Sequence, residues 1–247
     1  MIDVHAHLCL PEFQKDIEDV IEKAREEIDG IIVSSARLDE GKRVLELAAR
    51  HPGFLFATLG YHPTEGTDHE GVLRLIDQNR DNIVGIGESG LDYHWESDLR
   101  KRDQQKVIFR EFIAASQKHR LPLVIHSWDA EPDCFAMVRD SRVKCIFHCF
   151  SGTPELARQI VDQGFFVSIS TNVCMSKKLR GIAKAVPLES LLLETDSPFL
   201  DPERKRNVPW NIKLSAEKIA AEKGVTKEKV LTSAKENAIR AFNLKLG

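Results

Sequence analysis

Short apolar runs rich in Val and Ile recur along the chain at nearly even spacing, and amphipathic polar stretches separate them. The runs predict strands at "IDVHAH" (2–7), "GIIVSS" (30–35), "FLFATLG" (54–60) and "NIVGIGE" (82–88). Four more follow at "PLVIHS" (122–127), "KCIFHCF" (144–150), "FFVSIS" (165–170) and "LLLETD" (191–196). Their near-continuous hydrophobicity suits strands buried on both faces of a parallel sheet. The intervening stretches have a helical period: in 13–27, Phe13, Ile17, Val20, Ile21 and Ala24 fall on one stripe. Similar patterns cover 39–51, 69–79, 104–119, 153–164, 176–186, 215–224 and 226–242. Thr153 before Pro154 marks a helix start and Gly164 a stop. Strand then helix, repeated, is the signature of parallel β/α units. Over 247 residues the pattern predicts a (β/α)8 TIM barrel, an α/β fold, with a doubly wound open sheet as the alternative. No Pro-, Gly- or Ser-rich linker divides the chain, so residues 1–247 read as one domain.

Composition narrows the class without naming a chemistry. Hydrophobic residues make up 42% and charged residues 30%, as in ordinary globular proteins. No apolar run is long enough for a membrane span, and no basic segment followed by an apolar one opens the chain as a secretion signal would. The five cysteines (Cys9, Cys134, Cys145, Cys149 and Cys174) form no C-x-x-C pair. That usage predicts reduced thiols and a cytoplasmic location. A net charge of −3 excludes coating of nucleic acid by bulk electrostatics, so any phosphate recognition must be local. No obligate protein partner is evident.

The candidate chemistry starts at "MIDVHAH". Side chains two apart on a strand share a face, so His5 and His7 would aim two imidazoles at one spot. Taken alone, the pair also fits a frayed terminus, or one buried and one solvated histidine. The other strand ends decide between these, because barrel active sites form at the C-terminal ends of the strands. Strand 3 leads into His62, strand 4 ends in Glu88, strand 5 in His126, strand 6 in His148 and strand 8 in Asp196. Imidazole and carboxylate are the ligands of zinc, manganese or non-haem iron in hydrolytic sites. A carboxylate such as Glu88 or Asp196 can bridge two ions, and a two-metal site can activate water and stabilise a displacement. The competing reading is a barrel mouth that is merely polar, which six potential ligands on five strands argue against. No G-x-S-x-G, G-x-x-x-x-G-K-[ST] or G-x-G-x-x-G motif offers another chemistry. The glycines of "GIGESG" (85–90) are expected to turn the backbone tightly and leave Glu88 exposed at the mouth.

"DVHAH", "GYHP", "GIGESGLDYH", "PLVIHSWDA", "HCFSG", "ETDSPFL" and "RNVPWN", in this order, resemble the signature segments of the TatD family of metal-dependent deoxyribonucleases. That family belongs to the metallo-dependent hydrolase superfamily of TIM barrels. The resemblance runs from residue 2 to about residue 212. It implies a hydrolase that cleaves phosphodiesters in DNA, commonly as an exonuclease, with single-stranded DNA or 3′ ends as the substrate. It implies two or more divalent ions (Zn, Mn or Mg) held by His5, His7, Glu88, His126, His148 and Asp196. Glu88 matches the bridging carboxylate, and Asp196 the ligand that orients or deprotonates the attacking water. His62 matches a position beside the scissile phosphate, where it binds an oxygen or helps the leaving group. Arg206 and Asn207 match the family's "RN" and are the expected phosphate contacts.

Two positions depart from the family pattern. Many members carry Arg where this chain has Trp128, and "RNEP" where Val208 replaces the Glu. An Arg would offer phosphate a forked donor. Trp128 instead offers an indole that can stack on a base of single-stranded nucleic acid, or pack under the following loop. "LRKRD" (99–103) is a second DNA contact or the exposed start of a helix. Two rival functions stand beside the nuclease: a metallo-hydrolase of a small phosphoester, amide or lactone, and a catalytically silent metal- or nucleic-acid-binding barrel. Cyclic amidases often carry a carboxylated Lys at the end of strand 4, where this chain has Glu88, which favours phosphodiester chemistry.

Overall fold

A computed structural model describes residues 1–247. Its strands are β1 (Ile2–Ala6), β2 (Gly30–Ser34), β3 (Leu55–Leu59), β4 (Gly85–Gly90), β5 (Leu123–His126), β6 (Cys145–Phe147), β7 (Phe166–Ile169) and β8 (Leu191–Leu193). They pair in chain order, and every pair is parallel. The seam between β8 and β1 is closed by a parallel bridge from Ala6 to Ser197. There the Asp196 N–H donates to His5 C=O at 2.9 Å, and the His7 N–H donates to Ser197 C=O at 2.7 Å. Buried Asp3 staples the same seam, accepting from Thr195 N–H (3.0 Å), Thr195 Oγ1 (2.5 Å) and His5 N–H (3.2 Å). This closure makes a (β/α)8 barrel and rules out the open sheet.

The helices are α1 (Ile17–Glu27), α2 (Leu38–Arg50), α3 (His69–Asn79), α4 (Leu99–His119), α5 (Glu131–Val138), α6 (Pro154–Asp162), α7 (Lys177–Ala185), α8 (Ile212–Lys223) and α9 (Lys227–Phe242). Thr153 caps α6 by accepting from the Leu156 N–H at 3.2 Å, as its place before Pro154 predicts. Helix α4 starts at residue 99 rather than 104, because Asp98 caps it through the Arg100 N–H at 2.8 Å. "LRKRD" is therefore a helix start. Helix α5 has no counterpart among the expected helices: it is eight residues long and its apolar residues run together as "CFAMV" without a stripe. No helix is long and apolar enough to cross a membrane.

The barrel interior changes chemistry partway up each strand. Ile32, Phe56, Val124, Ile146, Phe166 and Leu192 form one apolar cluster with Ile2 and Val4, plugged from below by Ala238, Ala241, Phe242 and Leu244. Two residues further along stand Ser34, Thr58, His126 and Ser168 on the same faces, with His148 and Glu194 one residue past the ends of β6 and β8. Register shifts in β1 (between Asp3 and Ala6) and β4 (between Ile86 and Ser89) re-aim those strands just below His7 and around Glu88. The outward faces pack against the helices in a separate cluster that holds Ala6, Leu8, Ile31, Val33 and Ile125.

Candidate active site

Above the apolar layer, imidazoles and carboxylates from β1, β4, β5, β6 and the β8 end converge. His5 Nε2 and His7 Nε2 lie 3.2 Å apart. Glu88 Oε1 is 3.2 Å from His7 Nε2 and 3.7 Å from His5 Nε2. Its other oxygen, Oε2, is 2.8 Å from His148 Nε2 and 3.5 Å from His126 Nδ1. Asp196 Oδ1 completes the first group, 3.4 Å from His7 Nε2 and 3.9 Å from His5 Nε2. Glu88 thus stands between two donor groups and gives one oxygen to each. It is buried, not exposed at the mouth, and its flanking glycines serve close approach rather than a turn. A Cβ on Gly90 would lie 1.9 Å from the His126 carbonyl oxygen. At Gly87, where φ is +137°, a Cβ would lie 2.4 Å from the Val124 carbonyl oxygen.

Each imidazole turns its other nitrogen toward a second polar group, the arrangement that orients metal-binding histidines. His126 Nε2 is 2.9 Å from Asp92 Oδ2, and His5 Nδ1 is 3.2 Å from Ser34 Oγ, itself backed by the Thr58 hydroxyl at 3.0 Å. Glu40 Oε1 stands 3.7 Å from His7 Nδ1, and Glu194 Oε1 3.7 Å from His148 Nδ1. At that separation these atoms are not hydrogen-bonded: Glu40 Oε1, His148 Nδ1 and both Glu194 oxygens are buried without partners. A fully buried carboxylate with no donor is expensive unless positive charge lies nearby. The residues therefore fit divalent cations: nitrogen and oxygen lone pairs face one another at close range, one carboxylate can bridge, and buried negative charge is left over. Sequence reading missed Ser34, Glu40, Asp92 and Glu194. Two of them had a signal, since Glu194 sits two residues before Asp196 on the same face and Asp92 falls within "GLDYH".

The surroundings divide the ionisable groups. Burial pushes Glu88 and Asp196 up, but His148 and His5 hold Glu88 well below the usual carboxylate range, and His7 holds Asp196 down. Asp196 is also the more open carboxylate, with its side chain 17% exposed against 4% for Glu88. Burial, reinforced by His126, takes His62 down to about 3, so its ring is neutral. The Thr64 N–H donates to His62 Nδ1 at 3.3 Å, which places the ring proton on Nε2. His62 stands edge-on to His126 with ring centroids 4.2 Å apart. A neutral ring suits hydrogen bonding to a phosphate oxygen and not protonation of a leaving group.

A cleft of about 510 Å³ opens above the cluster and is lined by His7, His62, Glu88, His126, His148 and Asp196. Trp95, Trp128 and Phe199 also line it. Trp128 is 41% exposed rather than packed beneath its loop. Arg206 and Asn207 do not line the cleft. The Arg206 guanidinium grips Asp16 with two bonds of 2.7 Å, donates to Glu12 C=O at 2.8 Å and covers the Phe13 ring. Asn207 is fully buried; its amide donates to Thr171 Oγ1 and Thr195 C=O at 2.9 Å and accepts from Val208 N–H and Asn211 Nδ2. Both residues brace the loop after β8 through these bonds.

A family model described as TatD related DNase matches residues 2–243. Human deoxyribonuclease TATDN3 is 33% identical, covering 98% of this chain and 94% of its own length. YabD of Bacillus subtilis, named an uncharacterized metal-dependent hydrolase, is 36% identical with 99% of both chains covered. Among solved structures, the TatD homologue YJJV of Escherichia coli shares the fold, with a TM-score of 0.89 at 24% identity over 99% of this chain and 98% of that one. A match across nearly the whole chain, over a barrel whose mouth gathers four imidazoles around a central carboxylate, leads to one assignment: the chain belongs to the TatD-related DNase family of metal-dependent hydrolases.

Proposed function

We propose that the protein is a divalent-metal-dependent phosphodiesterase acting on DNA, with single strands or 3′ ends as its substrate and exonucleolytic cleavage as its mode. The observation that carries this reading is the position of Glu88, whose Oε1 faces His5 and His7 while Oε2 faces His126 and His148. His5, His7, Asp196 and Glu88 Oε1 would hold one ion, and Glu88 Oε2, His126 and His148 a second. Zinc, manganese and magnesium all suit parts of this donor set. Divalent ions bound there supply charge against the phosphate and lower the pKa of water. The chain's own groups do the rest. Asp196, open to the cleft, takes the proton of the attacking water. His62, neutral and protonated at Nε2, donates to a phosphate oxygen and orients it for in-line attack. The cleft is of small-ligand size, which favours an unpaired strand over a duplex. The five cysteines are free thiols, which supports a cytoplasmic setting.

Digestion of end-labelled single- and double-stranded DNA by chelator-stripped protein, resupplied with Mg, Mn or Zn in turn, tests this. We expect progressive shortening of the single strand with restored metal, none after stripping, and none in Asp196→Ala. Undiminished activity in purified Asp196→Ala protein would falsify the assignment of that residue. Hydrolysis of small esters or amides with no attack on DNA would overturn the substrate.

A further inference from the structure

The lip of the cleft formed by the β4 and β5 loops carries an exposed aromatic cluster for which the hydrolytic centre has no use. Trp95 is 70% exposed and Trp128 41% exposed, and both line the cleft beside His126. His94 lies flat on Trp128, with centroids 4.0 Å apart and planes 7° apart. Trp95 stands edge-on to His94 at 5.0 Å and to Trp128 at 6.1 Å. Contiguous exposed aromatics of this kind mark contact sites rather than ordinary surface.

The cluster is indexed to the reactive groups. The Trp95 N–H donates to Asp92 Oδ1 at 2.8 Å, and the other oxygen of that carboxylate is 2.9 Å from His126 Nε2. Trp128 follows His126 by two residues, and its carbonyl accepts from the Tyr93 N–H at 2.9 Å, tying the two loops together. His94 is steadied by Asp129, whose Oδ2 is 2.9 Å from Nδ1. These ties hold the backbones of Trp95 and Trp128 in place beside Asp92 and His126.

We propose that Trp95 and Trp128, braced by His94, form a stacking platform that holds one unpaired nucleobase beside the scissile phosphodiester. The inference rests on the DNA reading above and adds to it how unpaired DNA is chosen over duplex. Every base presents a π face, so stacking recognises single strands without regard to sequence. In a duplex those faces are already covered by neighbouring bases, and the platform finds nothing to hold.

The test uses metal-loaded protein and compares wild type with Trp95→Ala, Trp128→Ala and the corresponding Phe variants. Both indoles are exposed, so the variants should fold, as circular dichroism will verify. Steady-state cleavage of a short single-stranded oligonucleotide is measured beside the same strand with its terminal bases removed to leave abasic sugars. Intrinsic fluorescence is followed on adding a phosphorothioate strand that resists cleavage. Each Ala variant should raise KM roughly tenfold on the normal strand, with the effect falling mainly on KM. Phe should restore most of the loss, and the abasic strand should bind wild type and variants alike. Fluorescence quenching should vanish when both indoles are removed. Cleavage of DNA with KM unchanged in the Ala variants overturns this inference alone. Quenching that depends on Trp95 and Trp128 without any cleavage supports the platform and overturns the nuclease reading.

Discussion

The two ends of the barrel interior are built from the same strands and do opposite work. At the bottom, Ile32, Phe56, Val124, Ile146, Phe166 and Leu192 meet the plug from α9, and apolar side chains complete one another. Two residues higher the side chains are polar: Ser34, Thr58 and His126 find hydrogen-bond partners, while His148 Nδ1 and both Glu194 oxygens are buried without them. The lower layer stabilises the fold through buried apolar area. The upper layer carries buried charge, a burden on stability that the surrounding imidazoles offset in part and a bound cation would offset further. Stability and chemistry are thus separated by a single step of the strand period. The bottom end also has a wide groove of about 660 Å³, flanked by Arg120, Arg142 and Lys144, but it gathers no cluster of histidines and carboxylates.

Substitutions at the two levels should therefore fail in different assays. The largest effect is expected from Glu88→Gln, which removes the charge shared by both donor groups. Activity should fall by at least about 10²–10³-fold, the range for losing one preorganised electrostatic group, with circular dichroism unchanged. Retention of wild-type activity would remove Glu88 from the centre of the site. Glu194→Gln should lower metal affinity about 10–100-fold, as expected for a group that orients a ligand. The metal-free protein should at the same time melt higher, because a lone buried carboxylate is gone. A metal-free Tm that falls would show that the carboxylate contributes to the fold by itself. Phe166→Ala, at the lower level, should cost about 3–5 kcal/mol of stability in denaturant unfolding while the folded fraction keeps its turnover per molecule. Smallest of all, Arg206→Ala should lower thermal stability slightly and leave KM for DNA unchanged, since its guanidinium is engaged by Asp16 and Glu12. A large KM increase would return Arg206 to the substrate path.

Much of this division can be seen in the primary structure. The even spacing of apolar runs points to eight parallel units, and the histidines and carboxylates fall where those runs end. The step from apolar to polar is written locally, as in Ile32 to Ser34 or Val124 to His126. Strand ends were less legible. Residues 148–150 and 194–196 read as strand but fall beyond the ends of β6 and β8, with Cys149 and Asp196 at positive φ (+44° and +56°). Local pattern does not reveal where a closing barrel makes the chain turn outward. Arg206 illustrates the same limit, because its charge says nothing about which partner claims it. Here Asp16, far away in sequence, claims Arg206.

The amino-acid sequence by itself determined the element order apart from α5, the parallel units and the paired imidazoles at the end of β1, because periodicity of two and of 3.6 is a local property of the chain. Tertiary structure decided what depends on distant segments meeting. It closed β8 onto β1 through Asp3 and Thr195 and brought Glu40 from α2 and Asp92 from beyond β4 behind the imidazoles. It also turned the glycines of "GIGESG" from a presumed bend into points of contact between neighbouring strands around Glu88. Such contacts arise only when the barrel shuts, since no short window of sequence contains both partners.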